Sequence, residues 1–301
     1  MTKSDISLPE IKSRLESRFG GISEFQRISE GEESRALGFK NTGGDYIVRI
    51  NRSAAGFEKD RFVFQRFSNA ELPVPEIVSI DLLAEDLACC VSRRAAGVTL
   101  QDLPVHDLQS VLEPVSRILD AMTNTDIHET DGFGPFDTAG SGGFGSWRDF
   151  LMSIDDRRRY DWGAASRYAD TDRVKRIIGQ MQTLAADCPE IRRLVHGDFG
   201  SNNVVTDQAR ITGVIDWSEA MFGDPLYDVA NILFWRPWLD CMEQQARFFE
   251  TRQPNRLRYR RRLACYQLRI GLQTLYEAAI DGNNEETVWA LTRSESIASG
   301  T

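Results

Sequence analysis

Three polar residues that lie close together in the chain could carry out phosphoryl transfer. Asp198 follows the apolar pair Leu194-Val195, Asn203 comes five residues later, and Asp216 closes a second apolar run 13 residues after that. Moving a phosphoryl group requires a group that orients the attacking hydroxyl and takes its proton, and it requires oxygen ligands for a metal ion. We predict that Asp198 is the base and that Asn203 and Asp216 bind Mg²⁺, which prefers carboxylate and phosphate oxygens.

A predicted β-hairpin explains how these residues could meet. Residues 203–206 and 211–216 are strand-like and are joined by 207–210. Asn203 and Asp216 would then lie within about two residues of facing each other, at ~3.3 Å per residue. Either fragment alone is common, because an aspartate often only caps a turn, whereas the complete spacing is much rarer. We expect His196 to be a structural hydrogen-bonding residue, since Asp198 is better placed to act as the base.

The elements around this hairpin divide the chain into two predicted parts. Residues 1–91 contain a short helix, several strand-like runs, and a helix with apolar residues between 57 and 67. Residues 92–301 are predicted to be mostly helical, with helices near 107–125, 147–155, 172–187, 225–250 and 257–280. A Gly-rich segment at 132–145 is predicted to be a surface loop. This order predicts an α+β fold with a small β-rich N-terminal lobe and a larger, mainly helical C-terminal lobe.

The composition excludes several classes of protein. The 36 basic and 45 acidic side chains give a net charge of −9, which disfavours nucleic acid as a partner. The five cysteines form no C-x-x-C pair, and the three histidines are not at zinc-ligand spacing. No apolar run approaches the ~18 residues of a membrane span, and the start of the chain has no signal-peptide pattern. We therefore expect a soluble, cytoplasmic monomer that does not bind membranes.

The polar residues also carry a resemblance to a known family. His196, Asp198, Asn203 and Asp216 match the catalytic loop and metal-binding aspartate of the aminoglycoside phosphotransferases, and longer matching segments at 198–204 and 215–224 extend the likeness. The chain resembles this family along nearly its whole length. The resemblance implies a bilobal, protein-kinase-like fold with ATP and Mg²⁺ as cofactors. It also implies that Asp198 positions the acceptor hydroxyl while Asn203 and Asp216 hold magnesium.

The same resemblance implies where the nucleotide binds. The loop 29–35 would cover the ATP phosphates, although it lacks a G-x-G-x-x-G pattern, and the segment 90–93 would be the hinge beside adenine. Arg49 occupies the strand position where kinases have a lysine, and Asp60 that of its glutamate partner; alternatively, both are ordinary surface charges. A longer cation facing a shorter carboxylate is physically coherent. The nucleotide-binding residues that we predict are Ser29, Gly31, Glu32, Ser34, Arg49, Asp60, Val91, Ser92 and Arg93.

The acceptor must be bound by the helical part. Carboxylates and flat aromatic side chains occur together there, and they suit a small cationic aminocyclitol, although any of them could instead belong to the core. The substrate-binding residues that we predict are Ser201, Asn202, Glu219, Asp224, Trp235, Trp238, Gln273 and Tyr276. We expect Asp228 to be structural and to brace the catalytic loop.

Three functions remain open on the sequence. The first is an ATP-dependent kinase that phosphorylates a hydroxyl of an aminocyclitol antibiotic. The second keeps this chemistry and changes the acceptor to another aminoglycoside or to a metabolic alcohol such as choline or homoserine. The third is a nucleotide-binding pseudokinase without activity, which the intact set of Asp198, Asn203 and Asp216 disfavours.

Overall fold

The structure is a computed structural model that describes residues 6–28, 35–84 and 87–300. Its residues pack into two compact units. The first unit runs to Gly97 and also contains Thr212–Ser218, and the second comprises Val98–Ile211 and the chain from Glu219 onward. The sequence places the boundary after residue 91. In the structure the first unit also includes the six residues 92–97 and the segment that contains Asp216.

The first unit is built on a five-stranded antiparallel sheet with the order β1-β2-β3-β5-β4. Its elements are α1 Leu8–Phe19, β1 Ser23–Arg27, β2 Arg35–Asn41, β3 Gly44–Asn51, α2 Ala55–Phe67, β4 Ile77–Ala84 and β5 Leu87–Arg93. Helix α1 begins after Ser7, whose side chain accepts a hydrogen bond from the Glu10 backbone, and Pro9 lies in its first turn. Helix α2 ends before Pro73 and Pro75, as predicted.

Alternation along the interior strand β5, which lies between β3 and β4, shows the two apolar faces of this sheet. Cys89 and Val91 point to the side on which Ile11 and Leu15 of α1 complete a buried cluster. Residues 88 and 90 point to the other side and pack with Phe57 of α2. The sheet is therefore covered by one helix on each face, and α2 packs against β4 and β5, next to the strand β3 that carries Arg49.

The second unit is mainly helical. Its helices are α3 Val105–Leu108, α4 Leu112–Asn124, α5 Trp147–Met152, α6 Trp162–Ala165, α7 Thr171–Ala185, α8 Leu226–Trp235, α9 Asp240–Arg252, α10 Arg260–Asp281 and α11 Asn284–Ser299. Its strands are β6 Val98–Thr99, β7 Phe133–Phe136, β8 Gly142–Phe144, β9 Arg193–Val195, β10 Val204–Asp207 and β12 Met221–Gly223. Strand β11 Arg210–Val214 begins in this unit and ends in the first. Strand β12 pairs with both β7 and β9, and β10 pairs with β6. The predicted α+β class, with a sheet-rich first part and a helical second part, is confirmed.

Several predicted elements were wrong in detail. The Gly-rich segment predicted as a loop contains the short strands β7 and β8. The single helix predicted over 225–250 is two helices, because Pro237 has no backbone N–H with which to continue α8. Helix α11 was not predicted, although Asn283 and Glu286 form its N-terminal cap.

The hairpin formed by β10 and β11 is shorter than predicted. Asn203 precedes β10, and Asp216 lies two residues beyond the end of β11. Asp216 has φ of 59°, which is incompatible with an extended strand. The division between the two units falls inside β11, after Ile211, so the two predicted metal ligands belong to different units. Among the helices of the described residues, none combines the length and apolar character needed to cross a bilayer.

Candidate active site

The loop between β9 and β10, residues 196–203, carries the predicted base, and two glycines fix its path. Gly197 has φ of +87°, and a Cβ there would collide with the backbone oxygen of Glu219. Gly200 has φ of +129°, and a Cβ there would collide with the side chain of Met242. Only glycine adopts these conformations without strain and fits these spaces. We call residues 196–203 the catalytic loop from here on.

Helix α8 anchors the catalytic loop with two polar side chains. The carboxylate of Asp228 accepts hydrogen bonds from the backbone N–H groups of His196 and Gly197, both at 2.9 Å. Three residues further along the helix, the amide of Asn231 donates to the Phe199 carbonyl at 3.1 Å. Burial raises the pKa of Asp228 to about 7, against the lowering effect of the two N–H donors. The loop is thereby attached to a buried helix at both of its turns.

Within the loop, Asn203 holds the side chain of Asp198. The Asn203 Nδ2 donates to Asp198 Oδ2 at 2.8 Å and to the Asp198 carbonyl at 2.9 Å. Asp198 is exposed, whereas Asn203 is only 4% exposed. His196 is fully buried, and its Nδ1 accepts from the Asp198 backbone N–H at 3.3 Å. Asp198 therefore presents an exposed carboxylate whose orientation is set by Asn203, and the side-chain oxygen of Asn203 is the atom of that residue that could bind a metal ion.

In the first unit, Asp216 is exposed and has a left-handed backbone conformation. Its φ of 59° is uncommon for a residue with a side chain and persists only where neighbouring contacts enforce it. The Ser218 hydroxyl donates to Asp216 Oδ1 at 3.0 Å, and the indole N–H of Trp217 donates to the Val214 carbonyl at 3.1 Å. The Trp217 backbone N–H donates to Asp60 Oδ1 at 2.8 Å. The Asp216 carboxylate is thus held at the surface of a well-bonded turn.

Arg49 and Asp60 form the ion pair that the sequence suggested. The guanidinium contacts Asp60 Oδ2, and the two side chains are 18% and 4% exposed. Burial alone would lower the pKa of Arg49, but attraction to Asp60, with smaller contributions from Cys90 and Asp216, raises it. Burial also raises the pKa of Asp60, against the lowering effect of Arg49. Arg49 therefore remains a charged group that faces both Asp60 and the predicted metal ligand Asp216.

The donor atoms of Asn203 and Asp216 fit magnesium, which takes few protein ligands and completes its shell with water and substrate phosphates. An amide oxygen and an exposed carboxylate oxygen are hard donors of this kind. Across the described ranges, no group of three or more His, Cys, Asp or Glu side chains could hold a metal ion by itself. Each of the two side chains, taken by itself, would therefore need further oxygens, such as those of a nucleotide, to hold the ion.

The structure limits how the remaining nucleotide-binding candidates could act. Ser29, Gly31, Glu32 and Ser34 lie outside the described residues. Val91 and Ser92 are buried in β5, which pairs with β3 on one side and β4 on the other. The Arg93 guanidinium lies 4.8 Å from the centre of the Tyr46 ring and contacts the Gly43 carbonyl. These three residues form the end of the sheet. An adenine base would therefore be contacted by the backbone that follows β5.

The acceptor candidates next to the base lie on or beside the catalytic loop. Asn202 is exposed, and its side-chain oxygen accepts from the Ser201 hydroxyl at 2.9 Å. Ser201 is only 8% exposed, and its carbonyl accepts from the Gln101 backbone N–H. Glu219 is exposed and lies against Gly197. Asn202 and Glu219 are therefore the two accessible candidates near Asp198.

Asp224, which the sequence placed among the substrate-binding residues, is in the core. It is fully buried and forms an ion pair with Arg262 at 2.8 Å. Its carboxylate also accepts from the Tyr266 hydroxyl at 2.6 Å and from the Leu226 backbone N–H at 3.0 Å. These contacts join α8 to α10, and they indicate a structural role in place of ligand binding.

Trp235 and Trp238 form an aromatic cluster with Trp289 of α11. The rings of Trp235 and Trp289 stack with centroids 4.9 Å apart, and Trp238 meets Trp289 edge-on at 4.7 Å. Trp238 is 43% exposed, so one face of the cluster is open to a ligand. Trp289 is not among the residues predicted from the sequence because α11 was not predicted, although the helix begins with a recognisable capping pattern, Asn283-Asn284-Glu285-Glu286.

Gln273 and Tyr276 belong to a second aromatic group on α10. The Gln273 side-chain oxygen accepts from the Tyr160 hydroxyl at 2.6 Å, and the Tyr276 hydroxyl accepts from the Asp161 backbone N–H at 3.1 Å. Trp162 packs edge-on against Tyr276 at 5.3 Å. A cavity of about 420 Å³ lined by Tyr160, Asp161 and Trp162 adjoins this group. The sequence analysis missed residues 160–162, whose aromatic-acidic-aromatic pattern could have identified them.

Known proteins resemble the chain along almost its whole length. Residues 24–264 match the sequence profile of the phosphotransferase enzyme family, APH. Hygromycin-B 4-O-kinase of Escherichia coli is 48% identical over 297 residues, which cover 99% of this chain and 87% of that protein. The crystal structure of aminoglycoside phosphotransferase APH(4)-Ia has a TM-score of 0.92 at 48% identity, covering 97% of this chain and 98% of the other.

Two further solved structures are similar to the chain, one at high and one at low sequence identity. A thermostable mutant of APH(4)-Ia, in a ternary complex with AMP-PNP and hygromycin B, has a TM-score of 0.90 at 49% identity and covers 96% of this chain and 97% of its own. The GDP complex of aminoglycoside 2'-phosphotransferase-IIIa has a TM-score of 0.72 at 16% identity, covering 98% and 99% of the two chains. The second likeness concerns the fold alone.

Proposed function

The chain belongs to the aminoglycoside phosphotransferase (APH) family of phosphotransferase enzymes, and we propose that it transfers the γ-phosphoryl group of ATP to the 4-hydroxyl of hygromycin B. The observation that carries the proposal is the exposed Asp198 carboxylate, which Asn203 holds in one orientation on a loop anchored to α8. Such a carboxylate is suited to a base that positions the acceptor hydroxyl. Positioning of the reactants is the main contribution that a protein makes to phosphoryl transfer. The likeness to hygromycin-B 4-O-kinase supports the choice of acceptor.

Each residue of the site would have its own role in phosphoryl transfer. The acceptor oxygen forms a bond to the γ-phosphorus, the bond from that phosphorus to the ADP oxygen breaks, and the acceptor proton passes to Asp198. Asn203 and Asp216 would hold Mg²⁺, which offsets negative charge on the phosphates. Arg49 would contact phosphate oxygens, since its guanidinium stays charged next to Asp60.

The acceptor is a cation with several hydroxyl groups, and the second unit offers it complementary surfaces. Glu219 near the catalytic loop would pair with an ammonium group, and the open face of the tryptophan cluster would support a sugar ring. Asn202 would hydrogen-bond to the acceptor beside Asp198. Phosphorylation of the antibiotic would give a cell resistance to it.

We also propose a cytoplasmic location and a monomeric state. The five cysteines are all free thiols, which suits a reducing compartment that supplies ATP. Light scattering combined with gel filtration would test the oligomeric state, and a mass near 68 kDa, about twice the 34.1 kDa of one chain, would refute the monomer.

The decisive test of the function is acceptor-dependent turnover followed by analysis of the product. Purified protein is incubated with ATP and Mg²⁺, and ADP release is compared with hygromycin B, kanamycin, choline, homoserine and no acceptor. We expect release only with hygromycin B, and a phosphorus-to-proton NMR coupling that places the phosphate on the 4-hydroxyl. A phosphate on another hydroxyl, or faster turnover of another acceptor, would refute the proposed specificity. Tight nucleotide binding without any turnover would indicate a pseudokinase.

A further inference from the structure

Helix α2 contacts the segment that carries Asp216 through two adjacent side chains. Asp60 accepts a hydrogen bond from the Trp217 backbone N–H at 2.8 Å. Lys59, the preceding residue, donates from its Nζ to the Ser218 carbonyl at 2.8 Å. Adjacent side chains of α2, one carboxylate and one ammonium group, thus bind the backbone of two consecutive residues, the N–H of Trp217 and the carbonyl of Ser218.

The burial of Lys59 sets this contact apart from ordinary surface hydrogen bonds. Lys59 is 6% exposed, although lysine is among the residues least often buried. Removing an ammonium group from water is unfavourable unless polar partners replace the water. The buried ammonium group is therefore held by polar partners, and the Ser218 carbonyl is one of them.

The segment that Lys59 holds is strained. Asp216 has φ of 59°, and such a conformation persists only where the surroundings enforce it. The Ser218 hydroxyl donates to the Asp216 carboxylate, so the position of Ser218 determines the orientation of the carboxylate. Ser218 also lies next to α2, because a Cβ added to Gly56 of α2 would be in van der Waals contact with the Cβ of Ser218, at 3.5 Å. Lys59 therefore fixes the residue that orients Asp216.

We propose that Lys59 is a positioning residue for the magnesium ligand Asp216, acting through the Ser218 carbonyl. This inference rests on the proposed function only in taking Asp216 as a metal ligand. Groups that orient a metal ligand from behind typically contribute 10–100-fold to metal affinity. Loss of the ammonium group should accordingly weaken the metal-nucleotide complex and leave the metal-free nucleotide nearly unaffected.

The test measures the thermodynamic coupling between metal binding and nucleotide binding to the protein. The dissociation constant of AMP-PNP is determined by calorimetry with saturating Mn²⁺ and again in EDTA, and the ratio of the two constants gives the coupling. The variants are Lys59→Met, Lys59→Gln, which keeps an N–H donor, and Lys12→Met, which makes the same chemical change at an exposed position of α1. Thermal denaturation of each variant shows whether it folds.

We expect Lys59→Met to reduce the coupling about tenfold while the constant in EDTA changes less than twofold. Lys59→Gln should retain part of the coupling, and Lys12→Met should match the wild type. A folded Lys59→Met protein with wild-type coupling would overturn the proposal. So would equal weakening with and without metal, or loss of the fold in both Lys59 variants, since either result would assign Lys59 to general stability. The measurement needs no phosphoryl transfer, so a wild-type protein that couples metal to nucleotide but leaves hygromycin B unmodified would refute the proposed function alone.

Discussion

Removing either partner of the Arg49–Asp60 pair should destabilise the protein, with a different dependence on pH for each partner. The pair is mostly buried, at 18% and 4% exposure, so neither charge is well hydrated when its partner is removed. Arg49→Met keeps much of the length of the side chain and removes the charge. Asp60→Asn keeps an oxygen that can accept from the Trp217 backbone N–H. Each variant therefore isolates one charge.

Asp60→Asn leaves a guanidinium that cannot discharge, because arginine does not lose its proton in proteins. Breaking a buried ion pair by removing one partner costs about 3–5 kcal/mol. We expect about 3 kcal/mol, the lower end of that range, because Arg49 keeps some hydration and the attraction of Asp216. For a chain of this size that loss corresponds to a Tm lower by roughly 6 °C.

Arg49→Met leaves a carboxyl group that can take up a proton. Burial already raises the pKa of Asp60, and loss of Arg49 removes the opposing effect. A carboxyl whose pKa is higher in the folded than in the unfolded protein favours folding at low pH, and this contribution is lost as pH rises through the folded value. The destabilisation by Arg49→Met should therefore grow as pH rises above the ordinary range of a carboxyl group, by up to about 1.4 kcal/mol per pH unit. The destabilisation by Asp60→Asn should not change with pH.

The assay is thermal and urea denaturation of both variants and the double variant at pH 6, 7 and 8. The double variant buries no charge at this site, so it should be less destabilised than the sum of the single variants by about 2–3 kcal/mol. The exposed pair Lys12–Glu16 is the control, and Lys12→Met should change stability by less than about 0.5 kcal/mol. Additive free energies, or an Arg49→Met effect that is independent of pH, would refute this account of the pair.

Three further predictions concern the second unit. Asp198→Ala should lower kcat by roughly 10²–10⁴ with an unchanged circular dichroism spectrum, and an ADP-release assay that shows normal turnover would remove Asp198 from the base role. Because burial raises the pKa of Asp228 to about 7, its contribution favours folding at low pH and is lost as pH rises. The stability of the wild type relative to Asp228→Asn should thus fall from pH 5 to pH 8, by about 3 kcal/mol, and a flat difference in denaturation experiments would contradict this. Trp289→Leu should raise the KM for hygromycin B roughly 2- to 10-fold without changing that for ATP, whereas a rise in both would place Trp289 in the general core.

The parts of the site that the sequence could predict are local in the chain. Asp198 and Asn203 are five residues apart on one loop, so their spacing already implied contact, and the structure joins them directly. The apolar residues at 57, 62, 63, 64 and 67 predicted a buried face of α2, and the structure buries Phe57, Val63 and Phe67 while Phe62 and Phe64 are only partly buried. Local spacing is informative where the partners lie within one element or one turn.

The parts that could not be predicted depend on partners far away in the sequence. Asp224 looked like a substrate-binding carboxylate, but its partners Arg262 and Tyr266 lie 38 and 42 residues further along the chain. The contact of Lys59 with Ser218 spans 159 residues. Nothing in the local sequence distinguishes a carboxylate or lysine that will be buried with such a partner from one that will stay exposed. Burial and pairing of this kind follow only from the packing of α2, α8 and α10.

Helix α8 links the chemistry of the catalytic loop to the proposed acceptor surface. Asp228, Asn231 and Trp235 lie three and four residues apart, which places them on one face of the helix. The first two hold the catalytic loop, and the third begins the tryptophan cluster. With a rise of 1.5 Å per residue, Trp235 lies about 6 Å further along the helix axis than Asn231. A ring resting on the cluster would therefore be held at a set distance from the loop that carries Asp198, because both are attached to the same buried and rigid element.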